Sequence, residues 1–136
     1  MRFSSYWLDT SEPFASSSPE LHDGSCDVVV VGGGITGSAA ALALAKKGAR
    51  VIVCEAGTVG QAASGRNGGM CNNGFAQDYA SLSQRIGTEL ANRLYLAFDA
   101  GVDTVERLVR EESIDCDFAR RGKLKLAAKP EHYDKL

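Results

Sequence analysis

The chain has 136 residues, a formal net charge of −2, 44% hydrophobic residues and 24% charged residues. That is enough for one hydrophobic core, and the balanced charge gives no basic footprint for nucleic acid. No run approaches the roughly 18 consecutive apolar residues of a membrane span.

Residues 1–25 are rich in Ser and Pro and lack the apolar centre of a signal peptide. They are expected to form a flexible N-terminal arm. Tyr6, Trp7 and Leu8 are the side chains that would dock it on the body, the alternative being contact with a membrane or a partner. Residues 26–136 read as a second region with its own fold.

That region opens with Cys26 to Glu55, CDVVVVGGGITGSAAALALAKKGARVIVCE. Val28 to Val31 predicts a short apolar strand, and Val51 to Val53 predicts another. Between them Ala39 to Lys47 forms helix readily, Ala41 and Leu44 face the sheet, and Gly48 ends the helix. Gly32, Gly34 and Gly37 give G-x-G-x-x-G at the strand-to-helix turn, the arrangement that holds a dinucleotide. Gly32 allows the tight turn, Gly34 lets the backbone approach a pyrophosphate, and Gly37 lets the helix pack close to the sheet. The N–H groups at Ile35 and Thr36 sit at the positive end of the helix dipole, where phosphate is favoured. Glu55 follows Gly32 by 23 residues, where a carboxylate can accept hydrogen bonds from a ribose diol. A negative side chain there disfavours a ribose 2′-phosphate.

Ala56 to Gly74 carries six glycines and three asparagines. Composition alone describes a surface loop, although loops this long in a compact domain are commonly functional. The glycine unit, the string Gln61-Ala62-Ala63-Ser64-Gly65-Arg66-Asn67-Gly68-Gly69 and the aromatic Ser5-Tyr6-Trp7-Leu8 together resemble the amino-terminus of FAD-dependent amine oxidoreductases. This is the family of D-amino-acid oxidase and dehydrogenase, glycine oxidase and sarcosine oxidase. The likeness is strongest to the branch with gamma-glutamylputrescine oxidoreductase.

The resemblance implies an α/β fold: a Rossmann-like FAD-binding βαβ unit, then helices, then the first strand of a substrate domain. It implies FAD as cofactor, with Ala63 and Ser64 near the pyrophosphate and Gly68, Gly69 and Met70 near the flavin ring. Asn67 belongs to the same segment. Arg66 either adds positive charge there or is a solvated loop residue. It further implies oxidation of an amine or amino acid at its CH–N bond, with oxygen or another acceptor reoxidising the flavin. Two other readings of the residues stay open: the Rossmann half of a nicotinamide-dependent dehydrogenase, whose loop after the acid is normally shorter, and a non-catalytic nucleotide-binding remnant.

Beyond the loop, Leu82, Ile86, Leu90, Leu94 and Phe98 recur every four residues, and Val102, Val105 and Val109 continue the stripe. This predicts helix with a core-facing side. Gly87 and Gly101 should interrupt it or allow close packing, and Glu89–Arg93 and Glu106–Arg110 are i,i+4 pairs. Lys123 to Ala128 alternates and predicts a strand, with Arg120, Arg121, Lys123 and Lys125 as a solvated face. Pro130 starts a further helix that the chain does not finish, so the sequence reads as the N-terminal part of a longer enzyme.

No metal site and no catalytic acid–base pair is identifiable. Cys26, Cys54, Cys71 and Cys116 have no paired spacing. Cys26 and Cys54 are expected to be buried on the strands, and Cys71 is the one with a possible functional place. His22 and His132 have no evident partners. Reduced cysteines and the absence of a leader signal point to the cytoplasm.

Overall fold

The computed structural model describes residues 3–12, 14–15 and 24–135. The chain divides into two compact units, Met1–Gly69 and Met70–Leu136. His22 and most of the Ser/Pro-rich part of the arm lie outside the described residues.

The first unit contains helix α1 (Tyr6–Thr10), strand β1 (Val28–Val31), helix α2 (Ile35–Ala45), strand β2 (Val51–Cys54) and a 3-10 turn at Ala63–Gly65. The strands pair in parallel, Val28 with Val51 through Val31 with Cys54. Asp27 fixes where this ladder starts. Its N–H donates to the Arg50 carbonyl at 2.9 Å, and its carboxylate accepts the Arg50 N–H at 2.7 Å and faces the guanidinium at 3.4 Å. At the other end the Gly32 N–H donates to the Cys54 carbonyl at 2.8 Å, carrying the pairing into the turn.

Strand side chains alternate between faces. Val28 and Val30 are half-buried under α2, while Val29 and Val31 are 55% and 87% exposed. Helix α2 ends as its sequence predicts. Gly48, at φ +88°, donates to the Ala45 carbonyl while the Ala49 N–H reaches back to Leu44, a Schellman closure. Cys26 precedes β1 and is half-buried, and Cys54 is exposed at the end of β2. The expectation that both are buried on the strands is therefore corrected: the sheet has two strands, and its outer face and ends are open.

In the second unit, helix α3 (Tyr79–Ile86) is capped by Asp78, whose carboxylate accepts from the Ser81 N–H at 2.9 Å and its hydroxyl at 2.8 Å, which satisfies a donor that the first helical turn leaves open. Gly87, at φ +86°, separates it from α4 (Thr88–Glu111). The two helices close on Leu82 and Ala91, the buried hydrophobic residues of the described chain. Phe75 meets Phe98 edge-on at 4.6 Å between ring centroids, and Tyr79 meets Tyr95 in the same way at 5.2 Å. The stripe is thus partly core: Leu82 is buried, but Leu90 and Val105 are 46% and 40% exposed.

Gly101 does not interrupt α4, and a Cβ built there meets nothing within 4 Å, so it permits no close packing either. The Glu106–Arg110 ion pair forms; a Glu89–Arg93 pair is not among the ion pairs of the described residues. Arg120 is not simply solvated, because it donates to both Asp103 and Glu106 and fastens the exit segment to α4.

No strand forms over residues 123–128, where Leu124 and Leu126 are 83% and 77% exposed. Alternation marks a segment able to pair, but a strand needs a neighbour for its N–H and C=O groups. Pro130–Lys135 is a 3-10 turn, shorter in reach than the helix expected there.

Two substitutions should move stability in opposite directions. Gly101→Ala should stabilise α4 by about 0.5–1 kcal/mol, since the site is an open helix interior. Leu82→Ala should cost about 2 kcal/mol or more by opening a cavity between α3 and α4. Thermal and denaturant unfolding followed by far-UV circular dichroism would read both; destabilisation by Gly101→Ala would contradict the open placement of that residue.

Candidate functional site: a cleft at the glycine turn

The glycines of the turn between β1 and α2 answer two constraints: Gly32 has open space beside it but takes φ +101°, whereas Gly33, Gly34 and Gly37 are crowded. A Cβ on Gly37 would lie 2.0 Å from the Gly32 carbonyl oxygen, and a branched neighbour, Val30, is already 3.3 Å away. Helix α2 therefore starts directly against the strand. Its first N–H groups lack intrahelical acceptors, as at any helix start, and carry the positive end of the dipole.

Glu55 holds the turn from the other strand. One carboxylate oxygen accepts the Gly33 N–H at 2.7 Å and the other accepts the Gly57 N–H at 2.9 Å. The hydrogen bond from Gly33, then that from Gly57, holds the Glu55 carboxyl below its ordinary value, with burial opposing. Each carboxylate oxygen can accept more than one hydrogen bond, so Glu55 keeps capacity for a hydroxyl donor. The Gly60 N–H adds a second tie, to the Gly33 carbonyl at 3.1 Å.

Ser64 reaches the same turn from the 3-10 turn. Its hydroxyl oxygen accepts the Ile35 N–H at 2.9 Å, filling a helix-start donor from 29 residues away in sequence. A Cβ on Gly34 would stand 2.9 Å from that oxygen. Gly34, Glu55, Thr58, Gly60, Gln61, Ala62 and Ser64 together line an open cleft.

The structure thus brings Gly34, Glu55 and Ser64 onto one cleft, with Gly32, Ile35, Thr36 and Gly37 forming the turn and helix start behind it. Ala63 is the first residue of the 3-10 turn. Arg66, Asn67, Gly68 and Gly69 follow it but do not line the cleft, and Arg66 is exposed. Asn67 braces its own loop: its amide donates to the Ser64 carbonyl at 2.7 Å and its side-chain oxygen accepts the Gly69 N–H at 2.8 Å. Met70 begins the second unit and is 81% exposed.

Sequence reasoning missed Gly33, which is buried, and Thr58, Gly60 and Gln61. The run of three consecutive glycines, of which Gly33 is the middle one, was the available signal for it. Among the described residues no group of three or more His, Cys, Asp or Glu side chains could hold a metal ion, and none of their helices is long and apolar enough to cross a membrane.

The DAO family, described as FAD dependent oxidoreductase, matches residues 27–136. The chain belongs to this family. Gamma-glutamylputrescine oxidoreductase of Escherichia coli is 35% identical over 119 residues, covering 88% of this chain and 28% of that protein. The probable oxidoreductase OrdL of Haemophilus influenzae is 34% identical over 132 residues, covering 97% and 30%. Glycine oxidase of Geobacillus kaustophilus is 34% identical over 110 residues, covering 81% and 27%. The chain therefore spans less than a third of the length of these family members. No solved structure matched it.

The arrangement fits part of a dinucleotide. The space above Gly34 is one that any side chain would fill, and the cleft offers backbone N–H donors at one end and a carboxylate at the other.

The lowered carboxyl of Glu55, and that of Asp27, lowered by the Arg50 backbone and then its side chain, give the first unit an acid-sensitive limb. A depressed folded-state value contributes stability that is complete above about pH 4–5 and lost as pH falls through that value. Glu55→Gln should flatten this acid limb in a circular-dichroism titration. An acid transition identical to that of the parent would show that the Gly33 and Gly57 bonds contribute nothing.

Proposed function

We propose that this chain supplies the pyrophosphate and ribose site for FAD in an oxidoreductase that converts the CH–N bond of an amine or amino acid to an imine. The observation that carries the reading is the meeting of the glycine turn, Glu55 and Ser64 on one cleft, in a chain of the FAD dependent oxidoreductase family. Relatives named for gamma-glutamylputrescine and for glycine support an amine or amino-acid substrate.

In this reading the N–H groups of Thr36 and Gly37 face the pyrophosphate, where the helix dipole favours negative charge, while the Ile35 N–H is held by Ser64. Ser64 serves both sides, because a hydroxyl accepts and donates at once: it accepts from Ile35 and donates to a phosphate oxygen. Glu55 accepts from the ribose diol while the Gly33 and Gly57 N–H groups hold it in place. Ala63 keeps the phosphate approach small, and Gly68, Gly69 and Met70 belong to the stretch that continues toward the flavin ring, with Arg66 as a cation near it. When bound, FAD would supply the redox chemistry as acceptor of the hydride from the substrate carbon, the amine N–H proton passing to solvent to leave the imine. Water would hydrolyse that imine, and oxygen or another acceptor would serve as the final oxidant.

The test is flavin retention by the whole protein. Purified protein should carry the oxidised-flavin band near about 450 nm, and an amine or amino-acid substrate should bleach it without oxygen. Gly34→Val should abolish the band while leaving the far-UV circular dichroism of the parent. Glu55→Gln should weaken FAD roughly tenfold, the scale of one charge-assisted hydrogen bond in an exposed setting. Full flavin occupancy in Gly34→Val protein would mean that the phosphate turn lies elsewhere.

A further inference from the structure

The segment after the 3-10 turn is held by a part of the chain that the family match does not include. That match begins at residue 27, whereas α1 spans Tyr6–Thr10. From α1 the Trp7 indole N–H donates to the Asn67 carbonyl at 2.7 Å. The Ser5 hydroxyl donates to the Gly65 carbonyl. Leu8 packs where it would stand 3.3 Å from a Cβ on Gly65.

Gly69 makes the fit of the indole visible. It has φ +67°, and a Cβ there would fall 2.2 and 2.7 Å from two atoms of the Trp7 six-membered ring. The ring therefore occupies the space that a side chain at position 69 would take. Tyr6 supports it edge-on, at 5.0 Å between centroids. The other end of the loop is tied to the cleft through the Ser64 hydroxyl on Ile35. Asn67 joins the two ends through its bonds to Ser64 and Gly69.

We propose that α1 is a clamp on the cofactor loop and that Trp7 is a positioning residue, fixing residues 65–69 so that their backbone meets FAD in one conformation. This rests on the FAD reading above. The physical argument is entropic. A glycine-rich loop loses more backbone freedom on ordering than any other sequence. A cofactor that had to order residues 65–69 itself would bind more weakly by that cost, which a preformed contact removes. The indole contributes a large rigid group with few rotatable bonds and one directed donor, and Gly69 leaves the room that the ring takes. The docking is not built on exposure alone: it consists of two directed hydrogen bonds and two glycines whose missing side chains make room for α1.

The test uses a readout that does not involve FAD. Arg66 is exposed in the clamped loop, so trypsin cleavage after Arg66 reports the loop's opening in the apoprotein. Trp7→Ala should raise that cleavage rate and weaken FAD by roughly tenfold, the order of a lost hydrogen bond with its packing. Trp7→Phe keeps an aromatic face without the donor and should fall between the two.

If the parent protein fails to bind FAD, the proposed function fails. If the parent binds FAD but Trp7→Ala leaves both cleavage and affinity unchanged, the clamp fails alone. Tighter FAD binding by Trp7→Ala would also overturn it, since that would make the indole an occupant of the cofactor's place rather than a support for it.

Discussion

The contact on which the first unit depends is the Glu55 carboxylate bridging the Gly33 and Gly57 N–H groups. Three consecutive glycines would otherwise be the most mobile stretch of the chain. Tying their middle member to the end of β2 fixes where α2 begins and how its N–H groups are aimed. The same bridge draws the loop after β2 back over the turn, where the bond from Gly60 to Gly33 secures it. Such a tie suits the proposed phosphate site, because dipoles stabilise charge most when they do not have to reorganise around it.

A sequence of short-range decisions leads from that bridge to Ser64. The loop returns across the cleft, and a 3-10 turn presents the serine hydroxyl to Ile35. Residues that are only permissive in isolation (glycine, alanine, serine) become a site because their small size leaves the backbone accessible. The apolar faces outside this site behave differently. Val29 and Val31 are exposed on a parallel sheet, and parallel strands in α/β folds are ordinarily covered on both faces.

Much of this was legible in the sequence where the determinants are local. The run from Val28 to Glu55 has the right strand lengths, glycine spacing, helix stop at Gly48 and closing acid, and the structure forms the βαβ unit on those residues. Gly33 escaped because the motif counts only Gly32, Gly34 and Gly37, whereas the hydrogen bond that makes Gly33 matter comes from across the sheet. Lys123 to Ala128 read as a strand because alternation records which side chains could share a face, not whether a neighbouring strand is present. Gly101 read as a break or a place of close packing because its propensity is poor, yet the apolar and aromatic contacts around α4 carry the helix through it. The role of Trp7 at Gly69 spans more than sixty residues of sequence and had no local signature beyond the aromatic run itself.

The most direct test of the shared site is an amide-resolved titration of the protein with FAD by heteronuclear NMR. The account predicts that the largest shifts fall on the Gly34, Ile35, Thr36 and Gly37 amides, with Gly33, Gly57 and Ser64 moving in step at one common affinity. Shifts confined to residues outside this group, or FAD binding that leaves the Gly34 to Gly37 amides unmoved, would contradict it.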